Sequence, residues 1–585
     1  MDQQTLQNIR LAIGLAQGLL LYWLYVTIDA KSWPATSPEV FATFLTVSVF
    51  VPLIAIAGLG HLPARKLGTW LVVSAALCAA LGFYDLHHLP EELYQTPPRI
   101  LPTYSLLALA AILFITHTIV VAGESDQRWL ASYPTHFDVA WKHAIQAALA
   151  ALFVGVLWIV LFLGDALFQL VKINFVHDLI LRPLFSLPVT ALGTAYALHL
   201  TDVRTDIVCG ARTLLLTLMS WLLPVMTAFG AAFIFTLPFT GLESLWSTKL
   251  ATGTLLGASA CLIVLINASY QDGKLESATV LRYCRPIAAV LLLPLAGLAI
   301  YGLTLRVSQY GWSPSRVISA ACIAVALWYA VGYLYAVIRS GLSLQKLELT
   351  NLSAAFAICI LLVSLSTPIA DPLRISVNSQ LARLVDKRVS FDDFDYDFLR
   401  FGSGRYGMET LRNLATITGR SDVPEASSVA ARARNALDRS RPNIRVAIPK
   451  PPPAAERLGN VTVFYPQGHD FPEGLLQQDW TEIPQARQLP GCLIGVLKCE
   501  AAFIDLDGDG NEEILLFQSP GGRASAFKLA KDNQWILLGQ LNNTHCRGLR
   551  DNLTKGTVEA VAPPLKEVLI AGRRLQVVPD CPPAP

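Results

Sequence analysis

The sharpest chemical pattern in the sequence is the acidic run DLDGDGNEE near the C-terminus. Its candidate ligands are oxygen-bearing residues at alternate positions: Asp505, Asp507, Asp509, Asn511 and Glu513. This spacing, with a glycine that allows a sharp turn, can wrap a hard cation such as calcium. An EF-hand would need Glu at the twelfth position, where Leu516 stands, and helical flanks in place of the strand-like AFIDL and EEILLF. We therefore expect a structural calcium site in a strand–loop–strand, with a metal-free Asp/Gly turn as the alternative.

Two ionisable residues lie inside long apolar runs. His117 falls in the fourth run and Asp165 in the fifth. Ionisable groups at membrane depth are costly and often functional. Because these runs are neighbours in the sequence, the two side chains could meet in a proton or ion relay. The alternative is that each is paired locally and has a structural role.

A third candidate follows the third apolar run, in the segment DLHHLPEE. It combines Asp85, His87, His88 and Glu91 within a few residues. Histidine and carboxylate groups together can bind zinc or act as acid and base. A solvated polar loop at the membrane edge is the simpler alternative.

The cysteines fall into two groups. Six lie in or beside apolar runs, where cysteine behaves as a small hydrophobic residue. The other four, Cys492, Cys499, Cys546 and Cys581, lie in the C-terminal part. Their spacing does not fit a zinc site, so we expect disulfides, for which three pairings are open.

These candidates belong to a chain with two different parts. Of its 585 residues, 53% are hydrophobic and 15% are charged, and the charged residues are scarce up to Asp371. Eleven apolar runs of membrane-spanning length precede that point, of which the sixth, Asp178–Leu200, is interrupted by Arg182 and prolines. We therefore predict an α-helical polytopic membrane bundle with a small C-terminal β-rich soluble domain. A net charge of +2 without a basic face argues against nucleic-acid binding.

The distribution of Lys and Arg predicts the orientation. Loops on the side of the N-terminus carry about twelve of these residues, and the opposite loops carry about seven. This bias predicts a cytoplasmic N-terminus, and an odd number of spans then places the tail in the periplasm. Disulfides in the tail would agree with that compartment.

The tail begins with a polar helical segment and then becomes strand-like. Helices are predicted at Met408–Thr416 and Ala426–Leu437, followed by a Pro-rich spacer. Beyond it, seven short runs have strand character: Val461–Tyr465, Leu493–Leu497, Ala502–Leu506, Ile514–Gln518, Ala524–Leu529, Trp535–Leu538 and Glu567–Ala571. Gly521–Gly522 is a predicted hairpin turn. The expected domains are therefore 1–371, 372–454 and 455–585.

The segment that connects the apolar runs to the rest of the tail, called the junction below, carries a family resemblance. The string FDYDFLRFGSGRYGMETLRNLA, with its acidic-aromatic start and its RYG before a Leu-rich helix, follows the apolar runs directly. It resembles the bacterial inner-membrane family catalogued as domain of unknown function 4153. The resemblance implies location and architecture, and it implies no activity. The junction itself, Phe391–Arg405, is expected to dock the tail, with sugar or peptide binding as the alternative.

The sequence contains none of the nucleotide-binding, nucleophile-elbow or HExxH motifs, which argues against the enzyme classes that use them. The leading hypothesis is a non-enzymatic cell-envelope protein in the lipid bilayer of the inner membrane. Its calcium-ordered periplasmic tail would bind an envelope protein or glycan partner. The alternatives are a transporter that uses Asp165 and His117, and an envelope-modifying transferase that acts near Asp85.

Overall fold

In the computed structural model the chain forms two compact units, Met1–Pro442 and Asn443–Pro585. The structure describes residues 2–87, 103–242, 251–273, 278–417 and 426–439 of the first unit. In the second unit it describes 453–466, 468–478, 480, 489–494, 497–519, 524–530, 533–541, 560, 568–570 and 573–575.

The first unit is an α-helical bundle. Its membrane part consists of α1 (Gln3–Asp29), α2 (Pro38–Gly58), α3 (Ala64–His87), α4 (Thr103–Ser125), α5 (Tyr133–Leu170), α6 (Phe175–Leu181), α7 (Pro183–Val203), α8 (Thr205–Thr240), α9 (Ala251–Tyr270), α10 (Thr279–Tyr310), α11 (Pro314–Ser340) and α12 (Leu347–Leu365). Among the described helices, all of these except α6 are long and apolar enough to cross a membrane, which makes eleven candidate spans. The chain is a multi-pass membrane protein, and the predicted helical bundle is confirmed.

The interrupted sixth run is resolved into two helices. Arg182 is extended and separates α6 from α7, which begins at Pro183. Proline suits the first position of a helix because its missing N–H would have no partner there. The sequence pattern had merged a short helix with the span that follows it.

Helices α1 and α7 approach each other closely through small residues. Gly14 and Gly18 face Ala195 and Pro188, and an added Cβ would lie 2.7 Å from Ala195 Cβ and 2.4 Å from Pro188 Cα. Small residues four apart let two membrane helices pack backbone to backbone. This packing fixes α7 beside α1, and both helices contribute to the site described below.

Helices α8 to α12 share the largest apolar core, which includes Leu262, Leu292 and Tyr333. A polar network crosses one end of it. Asn267 Nδ2 donates to Tyr333 Oη at 2.7 Å, and Tyr333 Oη donates to Asn351 Oδ1 at 2.7 Å. A buried network whose members satisfy one another stabilises a single arrangement of helices.

The junction forms a small helical layer on the membrane part. It consists of α13 (Pro372–Val385), a π-helical turn (Phe398–Gly402), α14 (Gly404–Thr416) and α15 (Ala426–Leu437) around a shared apolar core. Tyr84 Oη donates to Asp371 Oδ2 at 2.8 Å and lies 3.2 Å from Tyr406 Oη. Arg405 pairs with Glu39 at 3.2 Å. Arg405 and Tyr406 of the acidic-aromatic segment thus connect the junction to the ends of α2 and α3, and docking of the tail by this segment stays a prediction.

The second unit contains short helices and a β-sheet. The helices are α16 (Ala454–Leu458), α17 (Glu473–Gln477) and α18 (Gly491–Ile494), and the strands are β1 (Val461–Tyr465), β2 (Lys498–Ile504), β3 (Glu513–Ser519), β4 (Ala524–Leu529), β5 (Trp535–Leu541), β6 (Val568–Ile570) and β7 (Arg573–Leu575). Strands β1 to β5 form one sheet in sequence order, in which only β1 and β2 are parallel, and β6 pairs with β7. The predicted β-rich domain is confirmed.

One predicted strand of the tail is wrong. The segment predicted as a strand, Leu493–Leu497, begins inside a helix, because α18 occupies Gly491–Ile494, and a disulfide joins Cys492 to Cys499 across seven positions. The two Cα atoms are 5.9 Å apart, which an extended segment of this length cannot satisfy. The predicted turn at Gly521–Gly522 lies outside the described residues.

Candidate functional site

His117 has a defined partner on a neighbouring helix. The indole Nε1 of Trp70, on α3, donates to His117 Nδ1 at 3.1 Å. The ring of His143, on α5, lies with its centroid 5.3 Å from that of His117. Both histidines are buried, with 6% and 8% of their surface exposed.

Asp165 lies at the other end of α5 and has a different partner. Its Oδ2 is 2.9 Å from His177 Nδ1, on α6, and accepts from Gln169 Nε2 at 3.0 Å. Since 22 positions of helix separate His143 from Asp165, the two are about 33 Å apart along α5. The structure therefore does not bring His117 and Asp165 together.

A buried ion pair lies near His117, where α1, α2 and α7 meet. Arg10 is 1% exposed, and its Nη2 donates to Asp202 Oδ2 at 2.8 Å and to the Leu59 carbonyl at 2.6 Å. Its Nη1 lies 3.3 Å from His199 Nδ1. This arginine thereby joins the end of α2 to two residues of α7.

Three more side chains lie close to the second carboxylate oxygen of Asp202, Oδ1. Lys142 Nζ lies 3.1 Å from Asp202 Oδ1, His61 Nε2 lies 3.3 Å from it, and Gln146 Nε2 lies 3.4 Å from it. With neutral histidines, the cluster holds two cations, Arg10 and Lys142, against one carboxylate. It therefore carries one positive charge in excess at the edge of an apolar helix bundle.

This cluster closes one end of a cavity. The cavity has a volume of about 740 Å³ and is lined by α1, α2, α4, α5 and α7. Its polar lining includes Arg10, His117, His143, Gln146 and Asp202, and the remainder is mostly apolar. The volume is within the range of about 300–1,000 Å³ that is usual for small-molecule sites.

The cavity extends into the membrane and opens at its side. On α5 its lining runs from His143 to Gly155, about 18 Å along the helix, which is close to the depth of one leaflet of hydrocarbon. Ala147, Ala151, Gly155 and Phe114 line it and are exposed on the surface of the bundle. Because that part of α5 lies within a span, the opening faces lipid.

Several histidine nitrogens of this region have no hydrogen-bond partner among the described residues. They are His117 Nε2, His61 Nδ1 and both ring nitrogens of His143, and all are buried. Buried polar atoms are normally paired, so unpaired ones at a cavity wall mark a place where a ligand or water binds. The arrangement can therefore hold a polar group at the end of an apolar chamber.

The candidate residues after α3 are only partly described. Asp85 Oδ1 accepts from Ser105 Oγ at 2.6 Å, so Asp85 links α3 to α4. His87 is the last residue of α3, and its side chain is not among the described parts of the structure. His88 and Glu91 lie outside the described residues.

The acidic loop of the tail forms a carboxylate cluster. Asp505, Asp507 and Glu513 each offer an oxygen within 4.8 Å of the others, and Asp505 accepts from the backbone of Gly508 and Gly510. Such a wrapped oxygen cluster fits a hard cation. Asn511 Nδ2 donates to Asp509, so its side chain supports the loop.

Lys528, on β4, already places a positive charge in this cluster. Its ammonium pairs with Asp507 and Asp509 and lies 3.1 Å from Glu513 Oε1, which is buried. Hydrogen bonds to Asp507 and Asp509 raise the pKa of Lys528, and the bond from Lys528 lowers the pKa of Asp509. A divalent ion would have to compete with this lysine.

The predicted disulfide chemistry is confirmed for one pair. Cys492 and Cys499 form a disulfide, while Cys546 and Cys581 lie outside the described residues. The six cysteines of the membrane part are free.

The fold and the cavity define a polytopic α-helical membrane protein with an intramembrane chamber. The family described as a domain of unknown function (DUF4153) matches residues 53–406, and the chain belongs to this family. The resemblance seen at the junction is thereby confirmed. Neither a curated protein nor a solved structure matches the chain.

The sequence pattern had missed most of the cavity residues. Arg10, His143 and Asp202 stand at or near the ends of apolar runs, where charged and polar residues are ordinary. Their position was a weak signal, and their partners were not predictable, since Arg10 contacts residues 189 and 192 positions away.

Proposed function

We propose that this protein binds an amphiphilic molecule from the lipid bilayer in the cavity between α2, α4, α5 and α7. The observation that carries the proposal is the form of the cavity, which combines an apolar chamber, a lateral opening and one polar end. A water-soluble ligand would gain little from the apolar walls, whereas a lipid-like chain buries its surface there.

The depth of the cavity supports the same ligand class. A chamber about 18 Å long with its polar end at the membrane boundary holds a molecule oriented as lipids are in a leaflet. Leu59 and His61 mark that boundary, because they lie in the turn between α2 and α3. Such a ligand would enter laterally from the leaflet and would keep the orientation that it has there.

We place the protein in the inner membrane with the N-terminus in the cytoplasm and the tail in the periplasm. The excess of Lys and Arg in the loops on the side of the N-terminus supports this orientation. The Cys492–Cys499 disulfide supports an oxidising compartment for the tail. The polar end of the cavity then faces the cytoplasmic leaflet.

Native mass spectrometry of the full-length protein released from membranes tests the proposal. Wild type should retain a bound amphiphile, and Ala147→Trp should lose it, because Ala147 lines the cavity. Ala148→Trp is the matched control, since Ala148 is exposed on the same helix and lies outside the cavity lining. Equal retention by all three proteins would overturn the proposal.

The tail supports a second, separate role. Its acidic loop is proposed to bind calcium in competition with Lys528, with a structural effect on the sheet. Binding of an envelope protein or glycan partner by the tail remains a prediction, as does transferase chemistry near Asp85. Transport by an Asp165–His117 relay is not carried further, because His117, on α4, contacts His143 at one end of α5, whereas Asp165 lies near the other end of α5.

A further inference from the structure

We infer that the ligand carries an anionic, oxygen-bearing head group, a carboxylate or a phosphate, which accepts hydrogen bonds from His117 and His143. The inference rests on the proposed function and names the chemistry of the same site. Three independent features support it: the hydrogen bonding of His117, the unpaired nitrogens of His143, and the charge of the polar end.

The hydrogen bond from Trp70 determines the tautomer of His117. An indole N–H can only donate, so His117 Nδ1 must accept at 3.1 Å and carries no hydrogen. In the neutral ring the hydrogen is then on Nε2. That N–H is buried and has no acceptor among the described residues, and it belongs to a residue that lines the cavity. Trp70 is thus a positioning residue. It keeps the hydrogen of His117 on Nε2, where it can be donated to an oxygen of the ligand.

His143 adds a second donor beside the first. Neither of its nitrogens has a hydrogen-bond partner among the described residues, and a neutral imidazole always has one N–H. The two rings are 5.3 Å apart between centroids, so two oxygens of one head group can meet both. A carboxylate or a phosphate offers at least two acceptor oxygens for the two rings, whereas a hydroxyl offers one.

The charge of the polar end favours an anion. Arg10 and Lys142 face Asp202 alone, while the nearby Lys66 and Arg212 are paired with Glu124 and Asp138. An excess charge at the edge of an apolar interior is costly unless it is compensated. An anionic head group supplies that compensation, and a cationic one adds to the cost.

The same geometry argues against a metal ion in this place. A histidine binds a metal through a nitrogen without hydrogen, and the unpaired nitrogen of His117 carries one. Within the described residues, the cluster of metal-ligating groups that lie close together is in the tail and not here.

The test uses full-length protein in phosphatidylcholine nanodiscs and a palmitate that carries a photoactivatable diazirine. Labelling of α4 and α5 peptides is competed with unlabelled palmitate, hexadecyl phosphate, hexadecanol or hexadecylamine. We expect palmitate or hexadecyl phosphate to compete at least about tenfold better than hexadecanol, because charge-assisted hydrogen bonds are the stronger ones. The ratio of the two acids identifies the head group.

Variants identify the donors. His117→Leu should reduce palmitate labelling by about tenfold, whereas His117→Gln should retain it, because the glutamine amide places an N–H near the position of Nε2. Trp70→Phe should reduce palmitate labelling by about threefold or more, because His117 is then no longer held in the tautomer with its hydrogen on Nε2. Trp158→Phe is the matched control, because it removes an indole hydrogen bond to Thr190 outside the cavity lining.

The possible results distinguish the inference about the head group from the proposal that the cavity binds an amphiphile. If hexadecanol competes as well as palmitate while Ala147→Trp abolishes labelling, the head-group inference is wrong and the cavity proposal stands. If Ala147→Trp labels like wild type, the proposed function itself is wrong. Stoichiometric zinc in the purified protein that disappears in His117→Leu would also overturn the inference.

Discussion

His117 and Asn267 are both polar residues inside apolar helices, yet their surroundings differ. Asn267 exchanges hydrogen bonds with Tyr333 and Asn351, whereas His117 keeps a buried Nε2 without a partner among the described residues. A satisfied network stabilises the bundle, and an unsatisfied donor at a cavity wall costs stability that binding can recover. Both residues stand out in the sequence as polar residues in apolar runs. Only their hydrogen-bond partners in the structure distinguish Asn267, which has a structural role, from His117, which is a candidate binding residue.

The acidic loop gives a prediction about Lys528. Lys528→Met removes the ammonium from among Asp507, Asp509 and Glu513 and should strengthen calcium binding by about tenfold or more, because the lysine no longer competes with calcium for these oxygens. Calcium titration calorimetry of the full-length protein measures this change. Lys498→Met, at an exposed position of β2, is the control. Identical affinities in all three proteins would show that Lys528 does not occupy the cation position.

The same contacts predict a response to acid. The hydrogen bond from Lys528 keeps the pKa of Asp509 below its ordinary value of 3.8 in the folded state. A depressed pKa contributes stability above the ordinary value, and this contribution is lost as the pH falls through the folded-state pKa. The melting temperature of the tail should therefore fall more in wild type than in Lys528→Met between about pH 5 and about pH 3.

Scanning calorimetry of the full-length protein follows this difference, and reduction of the Cys492–Cys499 disulfide identifies the transition of the tail. The disulfide closes a short loop, so its reduction should lower the stability of the tail by about 2–3 kcal/mol. Parallel pH curves for the two proteins would contradict the ion-pair interpretation.

At the scale of elements, hydropathy predicted the spans because each must bury an apolar surface of fixed length in lipid. The sequence showed the interruption of the sixth run at Arg182 and the prolines, but it did not predict that a short helix, α6, would be separate from a span that begins at Pro183. In the tail, the composition of Leu493–Leu497 is typical of a strand, but the disulfide between Cys492 and Cys499 holds the two ends of this segment too close together for an extended chain. Local patterns thus predict an element's existence better than its limits, because distant partners set those limits.

The α1–α7 contact gives a prediction with a matched pair of glycines. Gly18→Ala would place a Cβ 2.4 Å from Pro188 Cα, so the helices must separate and the Arg10–Asp202 pair must move. Gly257→Ala, also inside a helix, meets nothing within 4 Å and should be neutral or stabilising by up to about 1 kcal/mol.

Thermal unfolding of the two variants in detergent measures the difference. We expect a lower melting temperature and weaker amphiphile retention for Gly18→Ala alone. Equal melting temperatures would mean that the close contact of α1 and α7 does not constrain the site.

At the scale of the whole molecule, the family match covers the cavity helices from residue 53 onward and ends at Tyr406 in the junction. Arg10, α1 and the second unit, Asn443–Pro585, lie outside the matched region. The matched region therefore holds most of the cavity helices, and the acidic loop of the tail lies outside it. The architecture was predictable from the sequence, whereas the cavity was not, because its lining residues come from five helices that are distant in the sequence.

Orientation gives a prediction for the whole chain. Alkaline phosphatase fused after Pro585 should be active in a bacterial host, and green fluorescent protein at that position should not fluoresce, because the tail is proposed to leave the cytoplasm. A fusion after Arg128, in the turn between α4 and α5, should give the opposite pattern. Reversed results would place the polar end of the cavity in the outer leaflet.

The central claim, an amphiphile held in the cavity, is tested most directly by electron cryo-microscopy of the full-length protein in nanodiscs. We expect elongated density between α4 and α5, with one end within hydrogen-bond distance of His117 Nε2 and His143, and we expect Ala147→Trp to lose this density. A collapsed cavity, or one filled by isolated waters in the wild-type protein, would contradict it.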